Sequence, residues 1–523
     1  KIETAILGNL PVAKIGEKEY YTFQEAFDAC PSDGTETTVE VLRNCTTDMA
    51  NIIEENKNIV LDIQSYKIVS GIENLFTNNG KFKIVDSIGN GRIISAKGTI
   101  LKNEKTGNFA INNITMQMTG SSAIDETIEN KGMLEVTGGV IISDGLKNKC
   151  INNIEQGTVK ITGGTVSAYT YAIYNTSSNK VEIEGGTVQA TYYYEGYSAI
   201  YNNTENGVVE IKGGLVTNQG KAIENKKGTI KVTGGEIRTT QGDTRYSECG
   251  IYNNGKVIIE DGKVAALYRG SGIQNEGGTI EITGGTVSAP EWYNSIINRG
   301  TLEISGGTIK SNEKGIYNNS ILKMTGGTVE VQESKSYNYA ALECGGGTAT
   351  IEGGTIKYNN VGNTNYNTAA IRITTNSATL TLGKEDGNVS TTNPEIIGST
   401  YGISNEGNGQ FNFYDGIVKG ILAAISGNIT RVEDKYTLVG ETEDNYQTTT
   451  LGFLATDTMT ACVNGTYYST LQEAINSCID NKETYIILVN GATVSENITI
   501  SSNKIIKIDL KGYTISGNSG INI

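Results

Sequence analysis

Histidine is absent from all 523 residues, which removes Ser/His and Cys/His catalysis together with every histidine-ligated metal site. Proline occurs only 4 times, so little interrupts extended chain. Nowhere does an apolar run approach the ~18 residues needed to cross a bilayer, and no membrane insertion of this segment is expected. The seven cysteines (30, 45, 150, 249, 344, 462, 478) are too sparse for a disulfide framework, and none stands in a CxxC pair. They read as buried free thiols, although Cys30 with Cys45 and Cys462 with Cys478 are close enough in sequence to pair in an oxidising compartment. A formal charge of −15 without a Lys/Arg cluster leaves no basic stripe for phosphate, which excludes nucleic acid as a partner.

What is abundant is glycine, with 65 residues, and it recurs in phrases. GTVKITGGTVSA at 157–168 returns as GTIEITGGTVSA at 278–289. Gly-Gly pairs begin at 138, 163, 185, 213, 234, 284, 306, 326 and 353, with Asp261-Gly262 in the widest gap, a spacing of 20 to 28 residues. Each pair lies between two short alternating runs, such as VEI at 181–183 and TVQA at 187–190. A third run precedes both: AIYN at 172–175 and 199–202, GIYN at 250–253 and 315–318. Alternation marks half-buried strands. A unit of about 24 residues with three short strands cannot bury its own apolar face, so it must stack on copies of itself. The fold expected is all-β, a right-handed parallel β-helix with three strands per coil, the hand following the crossover rule. About fifteen coils between about 55 and 430 would form a rod of about 70 Å.

The alternation also assigns faces. Val159, Ile161, Val166 and Ile173 should point inward, and Thr158, Lys160 and Thr165 outward. The outward position of the second strand stacks as Glu135, Lys160, Glu182, Glu210, Lys231, Ile258, Glu281, Glu303 and Lys323, a mixed-sign solvated ladder. An asparagine closes the first strand at 113, 130, 153, 175, 202, 225, 253, 275, 298, 318 and 405. Stacked amides bond to one another, so Asn153, Asn175, Asn202, Asn225, Asn253, Asn275, Asn298 and Asn318 form an expected structural ladder, with a thiol rung at Cys344. The Gly-Gly pairs read as corners needing positive φ or close backbone approach. No GxxxxGK[ST] loop and no GGxGxD repeat occurs, so neither a nucleotide cofactor nor calcium nor any other metal is expected.

Open ends of a β-helix need covering. YYTFQEAFDAC at 20–30 carries Phe23, Ala26, Phe27 and Cys30 at helical spacing, with Thr22 and Glu25 placed for a capping box. This short capping helix is expected to close the N-terminal end. The phrase returns without a gap at 461–478, followed by NITISSNKIIKIDLKGYTISG, the counterpart of NIIEENKNIVLDIQSYKIVSG. Expected boundaries are therefore a lead segment at 1–12, an N-terminal cap at 13–55, a β-helix at 56–430, a linker or C-terminal cap at 431–460, and the cap and first coil of a second β-helix at 461–523. Such a chain reads as one period of a longer tandem protein, or as one whose exposed coil docks onto another chain.

The YxTxQEAxxxC cap, the IDLKGYTISG coil and the ITGGTVSA coils resemble the pectin-lyase-like β-helices of large bacterial cell-surface proteins, including adhesins. The resemblance covers most of 13–430 and again 461–523. It implies a bacterial cell-surface or extracellular location. It leaves activity open, because that superfamily includes lyases, glycosidases, tailspikes and non-catalytic adhesins. Its polygalacturonases carry clustered aspartates with a histidine, and its pectate lyases a calcium site of carboxylates with a basic residue. Here Asp243 with Arg245 and Asp261 with Arg269 are single pairs. Two carboxylates could still form a glycosidase pair, and Glu195, Asp243 and Glu248 lie in long turns. The expectation is nevertheless no enzyme.

Length variation gathers in one turn. From the ladder position to the next corner the count is 8 to 11 residues, whereas from the corner to the next inward Ile or Leu it is 9 to 17. Stacking puts those insertions along one edge, a common place for binding. The turns are aromatic, with TYYYEGY at 191–197 and PEWYN at 290–294, in a chain holding 28 Tyr, 8 Phe and a single Trp. Tyr192, Tyr193, Tyr194, Tyr197, Trp292 and Tyr293 are the candidate binding residues for a glycan or a host or neighbour-cell surface protein. The alternative is that the tyrosines stack on one another to stiffen the turns. The function expected is a non-catalytic extracellular module, stalk or adhesin repeat. The alternatives are a self-assembling fibre subunit associating end to end or in tandem, and a polysaccharide lyase or hydrolase.

Overall fold

An alternating strand has one apolar face, and in each coil three such faces turn toward a common lumen. The computed structural model of the chain is a nearly all-β parallel solenoid of about 19 turns, with two short helices among the described residues. It describes residues 10–120, 126–146, 148–192, 196–240, 248–290, 292–332, 339–359, 368–386, 389–433, 436–443, 446–453, 460–464, 466–494, 497–517 and 521–522. In one representative coil the strands are Tyr171–Asn175, Val181–Ile183 and Thr187–Ala190. They pair in parallel with Lys149–Asn153, Thr158–Ile161 and Thr165–Ala168 of the coil before. Val159, Ile161, Val166 and Ile173 are all buried. Each such side chain contributes about 1.5–3 kcal/mol, less what ordering it costs.

The asparagine ladder is continuous from Asn78 to Asn318. Each side chain donates through Nδ2 to the Oδ1 of the next rung, at 2.8 Å from Asn153 to Asn175 and from Asn175 to Asn202, and at 2.9 Å from Asn202 to Asn225. The chain of amides runs on through Asn253, Asn275 and Asn298. Two expectations need correction. Asn113 is not a rung: it sits at φ 56 and donates to the Asp86 carbonyl, and the rungs below Asn130 are Asn103 and Asn78. Asn405 stands over Ile373 and bonds the carbonyls of Gly409 and Asn428 instead. Cys344 does occupy the rung above Asn318.

Glycine is required at two places in the coil. A Cβ on Gly185 would lie 2.4 Å from the Thr162 carbonyl oxygen, while Gly186 holds φ +73, so the corner uses both close approach and left-handed backbone. A Cβ on Gly157 would lie 2.3 Å from Asn153 Oδ1, so this second glycine leaves room for the ladder.

The outward ladder has the expected register, for example Lys160 against Glu182 and Glu182 against Glu210. Its ion pairs, however, run to flanking residues. Lys160 meets Glu184 at 3.1 Å, and Lys180 and Lys212 bracket the like-charged Glu182 and Glu210. Together these two lysines hold Glu182 down to about 2, with Lys212 the larger cause.

Helix Phe23–Ala29 has the capping box of Thr22 and Glu25, and buries Phe23, Ala26 and Phe27. Phe27 packs on Phe76 and Phe82, starting an aromatic column that reaches Phe109. Lys57 stabilises the helix end, its buried ammonium donating to the carbonyls of Asp28 and Cys30 at 2.9 and 2.7 Å. The second helix, Leu471–Ser477, repeats the device with Thr470, Glu473 and Lys504. Gln24 exchanges hydrogen bonds with the Ile52 backbone, as Gln472 does with Thr499. This second unit has its own core around Ala474, Ile475, Ile486 and Leu488. An antiparallel hairpin, Tyr436–Glu443 with Tyr446–Phe453, pairs onto Ile417–Gly420 and covers the last strand of the third sheet. All seven thiols are free, so neither the Cys30 with Cys45 nor the Cys462 with Cys478 pair forms.

Candidate functional site

The edge where turn length varies connects the third strand of each coil to the asparagine-bearing strand of the next. Among the described residues, two aromatic groups on this edge bear on binding. The first lies at the turn after Thr187–Ala190. Tyr192 stands 4.7 Å from Tyr169 and 5.4 Å from Tyr197, and Tyr197 meets Tyr171 edge-on at 5.3 Å. Tyr171 in turn contacts Tyr174 and Tyr201, which stack at 4.8 Å and 14°. Its hydroxyl donates to the Gly196 carbonyl, and burial pushes that hydroxyl well above the usual tyrosine range. None of these six rings is exposed, and their faces are used on one another. Tyr193 and Tyr194 lie outside the described residues.

On the outer face of the asparagine-bearing sheet the same packing continues with cations. Lys149 sits 4.1 Å over the Tyr174 ring and Lys221 4.2 Å over Tyr252. Lys221 and Lys226 both pair with the buried carboxylate of Glu224. This face is a closed mosaic of rings and ions.

The second aromatic group is open. Trp292 and Tyr293 line a cleft of about 550 Å³ together with Leu267, Tyr268, Arg269, Pro290 and Asn312. Trp292 is 52% exposed and Tyr268 76% exposed, so their faces are presented to solvent. Trp292 takes φ 74, unusual for a bulky side chain, and its backbone N–H donates to Glu313 Oε2 at 3.0 Å. Glu313 is buried, and its own backbone N–H is held by Ser311 Oγ. The cleft is therefore built by three successive turns, whose described lining residues are 267–269, 290, 292, 293 and 312.

The sequence pointed to Trp292 and Tyr293, singled out Arg269 only as the partner of Asp261, and missed Leu267, Tyr268 and Glu313. Tyr268 and Arg269 belong to a short turn with one aromatic, and nothing local marks Glu313 as the partner of a residue 21 positions earlier. Of the carboxylates considered for catalysis, Glu195 and Asp243 lie outside the described residues, as does Arg245, and Glu248 is buried. Asp261 sits at a corner inside the strand Lys256–Ala266, whereas Arg269 lies in the turn beyond it. Among the described residues, no group of three or more Cys, Asp or Glu is placed to hold a metal ion. No helix among them is long and apolar enough to cross a membrane. No protein-family model matches the chain, and neither does any curated protein or solved structure.

Proposed function

We propose that this chain is a non-catalytic module of a bacterial cell-surface protein, a rigid stalk of the pectin-lyase-like type that binds glycan through its variable edge. The observation that carries the reading is the cleft in which Trp292 and Tyr268 expose their ring faces beside Arg269. An aromatic face next to a cation and amide groups suits the alternating apolar and hydroxylated surfaces of a sugar ring. A solenoid suits the stalk role, because each coil contacts only its neighbours and length is gained by repetition. The test is a glycan array probed with the wild-type chain beside Trp292→Ala and Tyr268→Ala, circular dichroism showing that all three fold. Capture by the wild type alone supports the reading, and equal capture by all three sinks it.

The fibre reading has one observation of its own, the repetition of the cap with its Gln and Lys contacts in the second unit. It predicts concentration-dependent filaments by light scattering. A monomer at every concentration would exclude it.

A further inference from the structure

The chain repeats its cap, so each outward position of the second cap has a counterpart in the first, and strand register fixes the pairs. In the first cap Lys14 stands between Glu19 and Glu40, with Thr38 two residues before Glu40 and Asn58 across from Glu36. Lys14 and Glu40 form an ion pair at 2.9 Å. In the second cap the same places hold Cys462, Tyr467, Ile487, Tyr485 and Ile505. Glu36 and Asp62 keep their charge as Glu483 and Asp509, while Lys507 replaces Val60 in the opposite sense. One outer face has thus exchanged a charged centre for an apolar one. Coils stack beside this face and not over it, so continuing the solenoid does not cover it.

The first unit covers one side of it. Tyr436, at the root of the hairpin, lies beside Cys462 and Tyr467, and burial there pushes the Tyr467 hydroxyl up to about 12, with Cys462 and Tyr436 adding to the shift. Beyond that contact the face is open: Tyr485 is 54% and Ile505 50% exposed, and Ile487, in register with Cys462, is exposed as well. An open apolar patch of this kind marks an interaction surface. Its rim carries both signs, with Lys507 paired to Glu483 at 3.0 Å and Asp509 to Lys511 at 3.4 Å. A chain of net charge −15 repels its own copies over most of its surface, whereas this face is locally balanced. We infer that the outer face of the second cap binds the same face of a second copy, a two-fold contact centred on Tyr485, Ile487 and Ile505 that continues the interface begun by Tyr436. Such a contact closes on itself as a dimer, unlike the open end-to-end fibre, and stands independently of that reading. The patch is small beside the ~800 Å² per partner of a stable interface, so the dimer is weak and concentration-dependent.

Sedimentation velocity over a wide concentration range compares the wild type with a variant combining Tyr485→Thr, Ile487→Glu and Ile505→Asn. Each substitution installs the residue that already folds at the matching place in the first cap. Circular dichroism checks that both proteins fold, and Tyr485→Thr alone, at a half-exposed position, reads the same contact if the combined variant does not. The expected result is a wild-type mass that rises with concentration and levels off at two chains, with association about tenfold or more weaker in the combined variant. A wild type that stays a single chain throughout overturns the inference. A dimer that the variants form equally well also overturns it, because the contact then lies elsewhere. Growth past two chains, shared by the variants, overturns it and leaves the fibre reading standing.

Discussion

Asn298 donates to Asn318 Oδ1 at 2.8 Å, and there the ladder stops, because the residue in register above Asn318 is Cys344. Asn318 turns its amide to the carbonyls of Ser320 and Thr348 instead. An interior rung such as Asn225 accepts from Asn202 and donates to Asn253, one ladder bond more. Asn225→Ala should therefore destabilise by about 3 kcal/mol and Asn318→Ala by about 1 kcal/mol less, given the usual cost of buried polar groups that lose a partner. Urea unfolding of both variants measures the difference. Equal losses would mean that the ladder bonds contribute nothing beyond the backbone contacts of each rung.

The corners predict a second ranking. Gly185→Ala puts a methyl against the Thr162 carbonyl, and Gly186→Ala forces φ +73 on alanine, whereas Gly34 has φ +83 with nothing within 4 Å of its absent Cβ. Gly34→Ala should cost about 1 kcal/mol from backbone strain, and either corner substitution clearly more. Thermal melting of the three variants orders them, and a Gly34→Ala variant melting lowest would contradict the account.

Two acids give stability opposite dependences on pH. Glu182 is held from its ordinary 4.5 down to about 2 by Lys212 and Lys180, so the folded state releases its proton more readily than the unfolded chain. Its stabilisation is present above pH 4.5 and is lost as pH falls toward 2. Asp415 is pushed from 3.8 up to about 6 by burial, with Asp386 and Glu433 adding repulsion, while the backbone N–H groups of Ser390 and Gly416 oppose the shift. Its folded form binds the proton more tightly, so stability is gained as pH falls from 6 to 3.8. Glu182→Gln should flatten the acid limb of a pH-stability curve, and Asp415→Asn should remove the gain between pH 6 and 4. Curves of both variants unchanged from wild type would sink this assignment.

The cap predicts a third kind of loss. Lys57→Met removes the ammonium that holds the Asp28 and Cys30 carbonyls, leaving the buried Cys30 carbonyl without that donor, at about 1–3 kcal/mol. Hydrogen exchange should then rise first in Phe23–Ala29 and the strands beneath it, a local loosening that a solenoid permits because its contacts run only between neighbours. Uniform acceleration along the rod would instead mean that the cap governs the whole fold.

Much of the rod was legible in the sequence because each strand shows its period of two within four or five residues. The capping box was legible for the same reason: Thr22 and Glu25 are three apart. What stayed hidden was set between coils. Asn103 and Asn78 escaped notice because LKN and FTN lack the AIYN phrasing, yet their place in the stack makes them rungs. The diagonal ion pairs of Lys180 and Lys212 depend on side-chain reach across the sheet. The cleft depended on which short turns stack: Tyr268, Trp292 and Glu313 come from three successive coils, and no single stretch of chain contains the site.

We propose that the edge binds glycan and does not cleave it. The most direct test incubates the wild-type chain with each polysaccharide it captures on the array, then measures new reducing ends, unsaturated products and polymer length. Captured polymer recovered at full length, with capture abolished by Trp292→Ala, is the predicted result. Chain shortening or new ends, abolished by substituting any carboxylate of the edge, would contradict it and make the rod an enzyme.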